Sequence, residues 1–291
     1  MRPDASPSLP PSSAHAPSAS ASASAFPPAA PPDSLVARLR AAGCVFAEDE
    51  ARLLVATARA PAELAAMTER RVSGLPLEHV LGWAEFAGLR IAVDTGVFVP
   101  RRRTEFLVRC AVALAPAPPA APVVLDLCCG TGAVGAAVLD ALGGRGVLHA
   151  ADVDPAAVRC ARRNLDGLGG HVHEGDLFDA LPGSLRGRID ILAANVPYVP
   201  TGDIPLLPPE ARDHEPRTAL DGGPDGLALL RRVAAAALPW LSPTATLLTE
   251  TTPHQAPAAT HLLTACGYTS RTITDDDLEA TVVTATPASR S

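Results

Sequence analysis

An amide, a branched aliphatic, an imino ring and an aromatic ring follow one another at Asn195-Val196-Pro197-Tyr198, directly after the apolar run Ile189-Asp190-Ile191-Leu192-Ala193-Ala194. The run reads as a buried strand. Its carboxyl end is the edge at which open α/β sheets bind ligands. The four residues suit gripping a flat, amide-bearing group.

A second set lies upstream. Val123 to Gly132, read Val-Val-Leu-Asp-Leu-Cys-Cys-Gly-Thr-Gly, is a strand entering a tight turn and a helix. Gly130 and Gly132 are expected to let the backbone approach a ligand closely, and the helix amino terminus offers free N–H groups. About twenty residues on, Asp152 ends the next strand, where a carboxylate can accept both hydroxyls of a ribose. A nicotinamide cofactor would want G-x-G-x-x-G for its pyrophosphate, and the run here matches that only weakly. S-adenosylmethionine has no pyrophosphate and suits the loop better. After a third strand, in Gly175-Asp176-Leu177, Asp176 can hold an adenine amino group and Leu177 can cover the ring; the plainer alternative is a surface turn.

These residues need a parallel sheet to bring them together. Strands are expected at Val123–Leu127, Val147–Asp152, His171–His173, Ile189–Ala194 and Ala245–Glu250, and helices near Gly132–Leu142, Pro155–Asp166, Asp225–Leu238 and His254–Cys266. The alternation predicts a sheet covered on both faces. Tyr268–Ile273 and Thr281–Thr286 read as a closing pair of strands, one of them antiparallel. Ahead of this domain (113–291), Asp33 and Ser34 are expected to cap a first helix. Glu48, Asp49 and Glu50 load the first turn of a second, Pro61 opens a third that ends near Gly74, and Leu77–Leu81 adds a turn. Together these make a small helical domain (33–82). Trp83–Phe86 and Leu89–Val93 flank Ala87-Gly88 as a hairpin; with the helix from Thr104 they form a connecting region (83–112). Met1–Pro32 is nearly all Ala, Ser and Pro and is expected to be disordered.

The chain has 291 residues, a net charge of -7 and no lysine, so every basic side chain is arginine. That charge weighs against a nucleic-acid binder, which normally shows a basic face. The run Arg101-Arg102-Arg103 is expected to be a solvated loop edge. The six cysteines form no C-x-x-C pair and have no histidines at zinc spacing. They are expected to be reduced thiols in a cytoplasmic protein, with no bound metal. His171 and His173 can share a strand face, but no third ligand is evident. No run of about 18 apolar residues exists, so no membrane span is expected.

From about Leu77 to Thr286 the sequence resembles the release-factor glutamine methyltransferase family, which transfers methyl from S-adenosylmethionine to a glutamine side-chain amide. Beyond the two general motifs, Val99-Pro100-Arg101-Arg102-Arg103-Thr104-Glu105 looks like the family's proline-arginine segment. Glu215-Pro216-Arg217 through Asp221-Gly222-Gly223-Pro224-Asp225-Gly226 looks like its loop after the fourth strand. The resemblance implies a Rossmann-like class I methyltransferase fold with a helical amino-terminal domain and a hairpin. It implies Gly130, Thr131, Gly132, Asp152, Asp176, Leu177 and Asn195 at the cofactor, and Asn195, Pro197 and Tyr198 at the catalytic step. The Asn195 oxygen and, on the family's pattern, the Val196 carbonyl would orient the amide nitrogen and favour its developing charge. A protein partner, such as a peptide release factor, and a monomeric state are expected with it.

The chain departs from the pattern at several places. Val196 stands for a proline, Cys128 for the first glycine of the cofactor loop, Arg102 and Arg103 for a proline and an acid, and Thr251 for a glycine after Glu250. Two alternatives therefore stay open: an amino methyltransferase acting on a nucleic-acid base, and a partner-binding relative without turnover.

Overall fold

Period-two alternation along the central strands builds the molecule's core. In the computed structural model, which describes residues 31–288, β3 (Val123–Leu127) sends Val124 to one face and Leu125 and Leu127 to the other. The tail expected to be disordered at Met1–Pro32 lies, but for its last two residues, outside the described chain.

Seven strands form one sheet in the order β5-β4-β3-β6-β7-β9-β8. Here β4 is Val147–Asp152, β5 His171–Glu174, β6 Ile189–Ala194, β7 Leu241–Thr251, β8 Tyr268–Asp275 and β9 Ala280–Pro287. Strands β3 to β7 run parallel, and β9 is antiparallel to both β7 and β8. The closing pair expected at the carboxyl terminus is therefore present. Helices α5 (Glu105–Ala113), α6 (Ala133–Ala141) and α7 (Pro155–Leu165) cover one face, with Phe106, Leu107, Val138 and Leu165 fully or nearly buried. Helices α9 (Ala228–Ala237) and α10 (Ala256–Ala265) cover the other through Leu230, Val233, Ala259 and Leu263. Aromatic residues make up only 3% of the chain, so aliphatic contacts carry this core, each fully buried Val, Leu or Ile contributing about 1.5–3 kcal/mol.

The helical layer before the sheet comprises α1 (Asp33–Ala41), α2 (Ala47–Thr57), α3 (Pro61–Val72) and α4 (Leu77–Leu81), packed on a cluster of their own around Leu39, Leu54 and Met67. The expected cap of α1 is corrected. Pro32 occupies the N-cap and no side chain caps the helix, so Asp33 sits inside the first turn, where its charge meets the dipole. A two-residue turn joins β1 (Trp83–Phe86) to β2 (Leu89–Ala92), with Ala87 at φ 51° and Gly88 at φ 78°. Two left-handed residues in succession match the strand twist of a tight hairpin.

The chain order reverses at β3. From β3 the chain passes outward to β4 and β5, then crosses back to β6 on the opposite side of β3. Such a reversal opens a crevice at the carboxyl ends of the strands. The register sharpens this, because Leu127 pairs with both Ala151 and Ala194. The next residues on the three strands, Cys128, Asp152 and Asn195, therefore emerge side by side.

Candidate active site

A cavity of about 400 Å³ occupies that crevice, lined by Gly130, Thr131, Asp152, Asn195, Pro197 and Tyr198 together with Arg101, Arg103 and Glu250. Six of the sequence-predicted residues are thus brought to one place. Gly130 has φ +54°, and a Cβ built on it would meet nothing within 4 Å, which leaves a cradle open to a ligand. Asp152 holds the loop in place: its Oδ2 accepts the Gly130 N–H at 2.8 Å and its Oδ1 the Asp154 N–H at 2.9 Å. Each oxygen keeps a lone pair for a hydroxyl. Burial raises the Asp152 pKa above the usual carboxylate value.

Other predicted residues stand elsewhere. Gly132 packs against α7 and does not line the cavity. It caps α6 at φ +76°, and an added Cβ would press on Leu165 Cδ1 at 3.0 Å. The exposed Asp176 carboxylate pairs with Arg232 at 2.6 Å, and Leu177, at φ +49°, packs into the core. Neither lines the cavity. The first cysteine of the loop sits where a glycine is most at ease: Cys128 has φ +59°. Burial lifts the pKa values of Cys128 and Cys129, so both remain thiols.

The Asp221–Gly226 loop backs Asn195-Val196-Pro197-Tyr198 directly. The Gly222 N–H donates to Val199 O at 2.8 Å, and a Cβ on Gly226 (φ +74°) would fall 2.3 Å from Tyr198 O. Gln255 Nε2 donates to that same carbonyl at 2.8 Å. The loop is glycine-rich because two backbones meet there without room for a side chain.

The arginine run is a solvated edge only in part: Arg102 is exposed, as expected, whereas Arg101 and the half-exposed Arg103 pair with buried glutamates. Arg101 donates to both oxygens of Glu215, at 2.6 and 2.7 Å, and the Glu215 side chain is fully buried. Arg103 Nε donates to Glu250 Oε1 at 2.9 Å, and its terminal nitrogen to the Tyr198 hydroxyl at 2.8 Å. Tyr198 in turn donates to Glu250 Oε1 at 2.7 Å. Burial, with the Glu250 charge beside it, pushes the Tyr198 pKa well up, so the phenol stays protonated. Sequence reasoning left the role of Glu250 open. The available signal was an acid at a strand end inside the crevice, together with arginines that otherwise lacked partners.

None of the described histidines lines the cavity. His149 joins His173, Nδ1 to Nε2 at 3.0 Å, and stacks on His171 at the sheet edge. No cluster suited to a metal ion occurs among the described residues.

The model of the Methyltransferase small domain matches residues 89–203. A release factor glutamine methyltransferase of Geobacter sulfurreducens is 37% identical over 72% of this chain and 72% of its own length. The chain belongs to the release factor glutamine methyltransferase family. A 4-amino-L-phenylalanine/4-methylamino-L-phenylalanine methyltransferase of Streptomyces pristinaespiralis is 36% identical over 68% of each chain. The structure of a methyltransferase from Pyrococcus furiosus shares the fold, with a TM-score of 0.50 at 14% identity over 69% of this chain and 90% of that one.

As in this family, the chain is a class I methyltransferase dependent on S-adenosylmethionine, and the residues present fit that group. The Gly130 cradle is open, Asp152 has lone pairs for a ribose, and Asp152 and Asp154 offer negative charge to a cation without an arginine partner among the described residues. When bound, S-adenosylmethionine supplies a methyl group already activated by its sulfonium. What the protein supplies is position: Asp152 and Gly130 fix one side of the cavity and Asn195 to Tyr198 the other.

Proposed function

We propose that the chain methylates the side-chain amide nitrogen of a glutamine in a protein, with a peptide release factor as the substrate. An amide nitrogen is a poor nucleophile because its lone pair is delocalised. The Asn195 oxygen and the Val196 carbonyl take its N–H groups and favour charge as it builds on nitrogen. Tyr198, held by Arg103 and Glu250, presents its ring to the planar group. The observation that carries this reading is the adjacency of Asn195 and Asp152 on either side of β3, fixed by the pairing of Leu127 with both neighbours.

The test incubates purified release factors with the protein and methyl-labelled cofactor, followed by mass spectrometry of the glutamine-bearing peptide. The expected product is one added methyl group on that glutamine, lost in Asn195→Ala with the fold intact. Label on no protein would sink the assignment.

The Streptomyces relative favours a second reading, an aromatic amine on a free amino acid. Offering 4-amino-L-phenylalanine in the same assay separates the two. The protein partner is engaged by a monomer acting in the cytoplasm, without nucleic acid. The net charge of -7 supports that choice of partner, and no described helix is long and apolar enough to cross a membrane.

A further inference from the structure

Each glutamate beside the acceptor end of the cavity is answered by an arginine. Glu215 has Arg101 at 2.6 Å, Glu250 has Arg103 at 2.9 Å and Glu210 has Arg71 at 2.6 Å. The cofactor end is different, since its aspartates accept only backbone N–H groups among the described residues. One pair stands out. The Glu250 side chain is only 2% exposed and its Oε2 has no hydrogen-bond partner, whereas Arg103 is half exposed. A buried carboxylate with a bare oxygen has lost most of its hydration, so its charge depends on Arg103 for compensation.

We propose that Arg103 is a specificity-determining residue: by neutralising Glu250 beside Tyr198, it keeps the acceptor end uncharged and selects a neutral carboxamide over an ammonium or a carboxylate. This selection of a neutral side chain deepens, and rests on, the reading above in which the acceptor is an amide. The geometry supports it twice. The Tyr198 hydroxyl is engaged as donor to Glu250 and acceptor from Arg103, so its proton is committed and its ring is fixed. Arg103, Tyr198 and Glu250 also line a second pocket of about 290 Å³. The three side chains are thus shared by the two pockets.

The experiment uses the full-length protein saturated with S-adenosylhomocysteine and three synthetic peptides, identical except for Gln, Glu or Lys at the centre. Calorimetry on the wild type is expected to show the Gln peptide binding at least tenfold tighter than the other two. In Arg103→Gln the uncompensated carboxylate should improve the Lys peptide relative to the Glu peptide by tenfold or more. Arg103→Gln combined with Glu250→Gln restores neutrality and should return the wild-type order. Arg103→Lys keeps the charge and should keep the order, even where the second contact, to the Tyr198 hydroxyl, is lost. An unchanged Lys-to-Glu ratio in Arg103→Gln, no recovery in the double variant, or no binding of any peptide by the wild type would overturn the proposal. A wild type that ranks the peptides as expected yet transfers no methyl to the Gln peptide keeps the role of Arg103 and removes the acceptor proposed above.

Discussion

Gly130 and Gly226 both occupy the left-handed region, yet they meet different surroundings, and this separates binding from folding at the residue scale. A Cβ at Gly130 finds open space, whereas one at Gly226 would lie 2.2 Å from Gln255 Nε2. Gly130→Ala is expected to fold, at a cost of about 1–2 kcal/mol for the positive φ, and to lose S-adenosylmethionine affinity by more than tenfold in calorimetry. Gly226→Ala adds a backbone clash and should cost more than about 3 kcal/mol in thermal or urea unfolding. Similar losses of stability in both variants would contradict the distinction. Gly130, Asp152 and Asn195 are legible in the sequence as residues of one crevice because their motifs are local, and all three line the cavity. Arg103 was misread because nothing local connects it to Glu250, 147 positions away. At Gly132 the positive φ is legible in a glycine turn, while the leucine packed on it from α7 is not.

At the scale of elements, two buried titratable groups act on the same sheet with opposite signs. Gly132 has no side chain with which to cap α6, and Asp126 of β3 does the work instead, accepting the Gly135 N–H at 2.8 Å. Burial raises the Asp126 pKa to about 7. The folded state therefore binds a proton that the unfolded chain, with a carboxyl near 4, releases. This stability is full below about pH 4 and lost as pH rises through 7. His149, stacked on β5, has its pKa lowered to about 4 by burial and by His173 and His171. Its contribution is present above about pH 6.5 and lost as pH falls to 4. The two nearly cancel across that window. His149→Gln should therefore gain stability relative to wild type as pH falls from 7 to 4.5, and Asp126→Asn should lose it, each by the order of 1–3 kcal/mol after allowing for the exposed histidine partners. Denaturant titrations at a series of pH values measure both, and parallel curves for the three proteins would refute the assignment. Strands β3, β4 and β6 were legible to the residue because their apolar runs are bounded by turns. β7 begins at Leu241, four residues before the expected start, since Ser242-Pro243-Thr244 carry no hydrophobic signal although Leu241 pairs with Ile189. The imidazole set at the sheet edge was half seen: His171 and His173 share a strand, and only the sheet adds His149.

For the molecule as a whole, the question is how a helical layer remote in sequence from Asn195 bears on the acceptor. Arg71 answers it. Its side chain is 7% exposed and bridges Glu50 of α2 at 2.6 Å and Glu210 of α8 (Pro209–His214) at 2.6 Å, while also donating to Leu75 O. Glu210 lines the cavity, so the helical layer is tied to the segment that closes it. The helices themselves are foreseeable from first-turn acids, Pro61 and periodicity, but their attachment is not, because it is carried by single ion pairs between distant segments. Arg71→Met leaves Glu50 buried without compensation and should cost about 3–5 kcal/mol. Adding Glu50→Met replaces the buried pair by apolar volume and should recover most of that loss. The double variant still lacks the tie to Glu210. It should therefore melt near the wild-type temperature while its KM for the protein acceptor rises several-fold and its S-adenosylmethionine affinity stays the same. A double variant that regains both stability and acceptor KM would show that the helical layer merely supports the fold. Recovery of stability alone would place that layer in acceptor recognition, acting through the wall that Glu210 shares with the cavity.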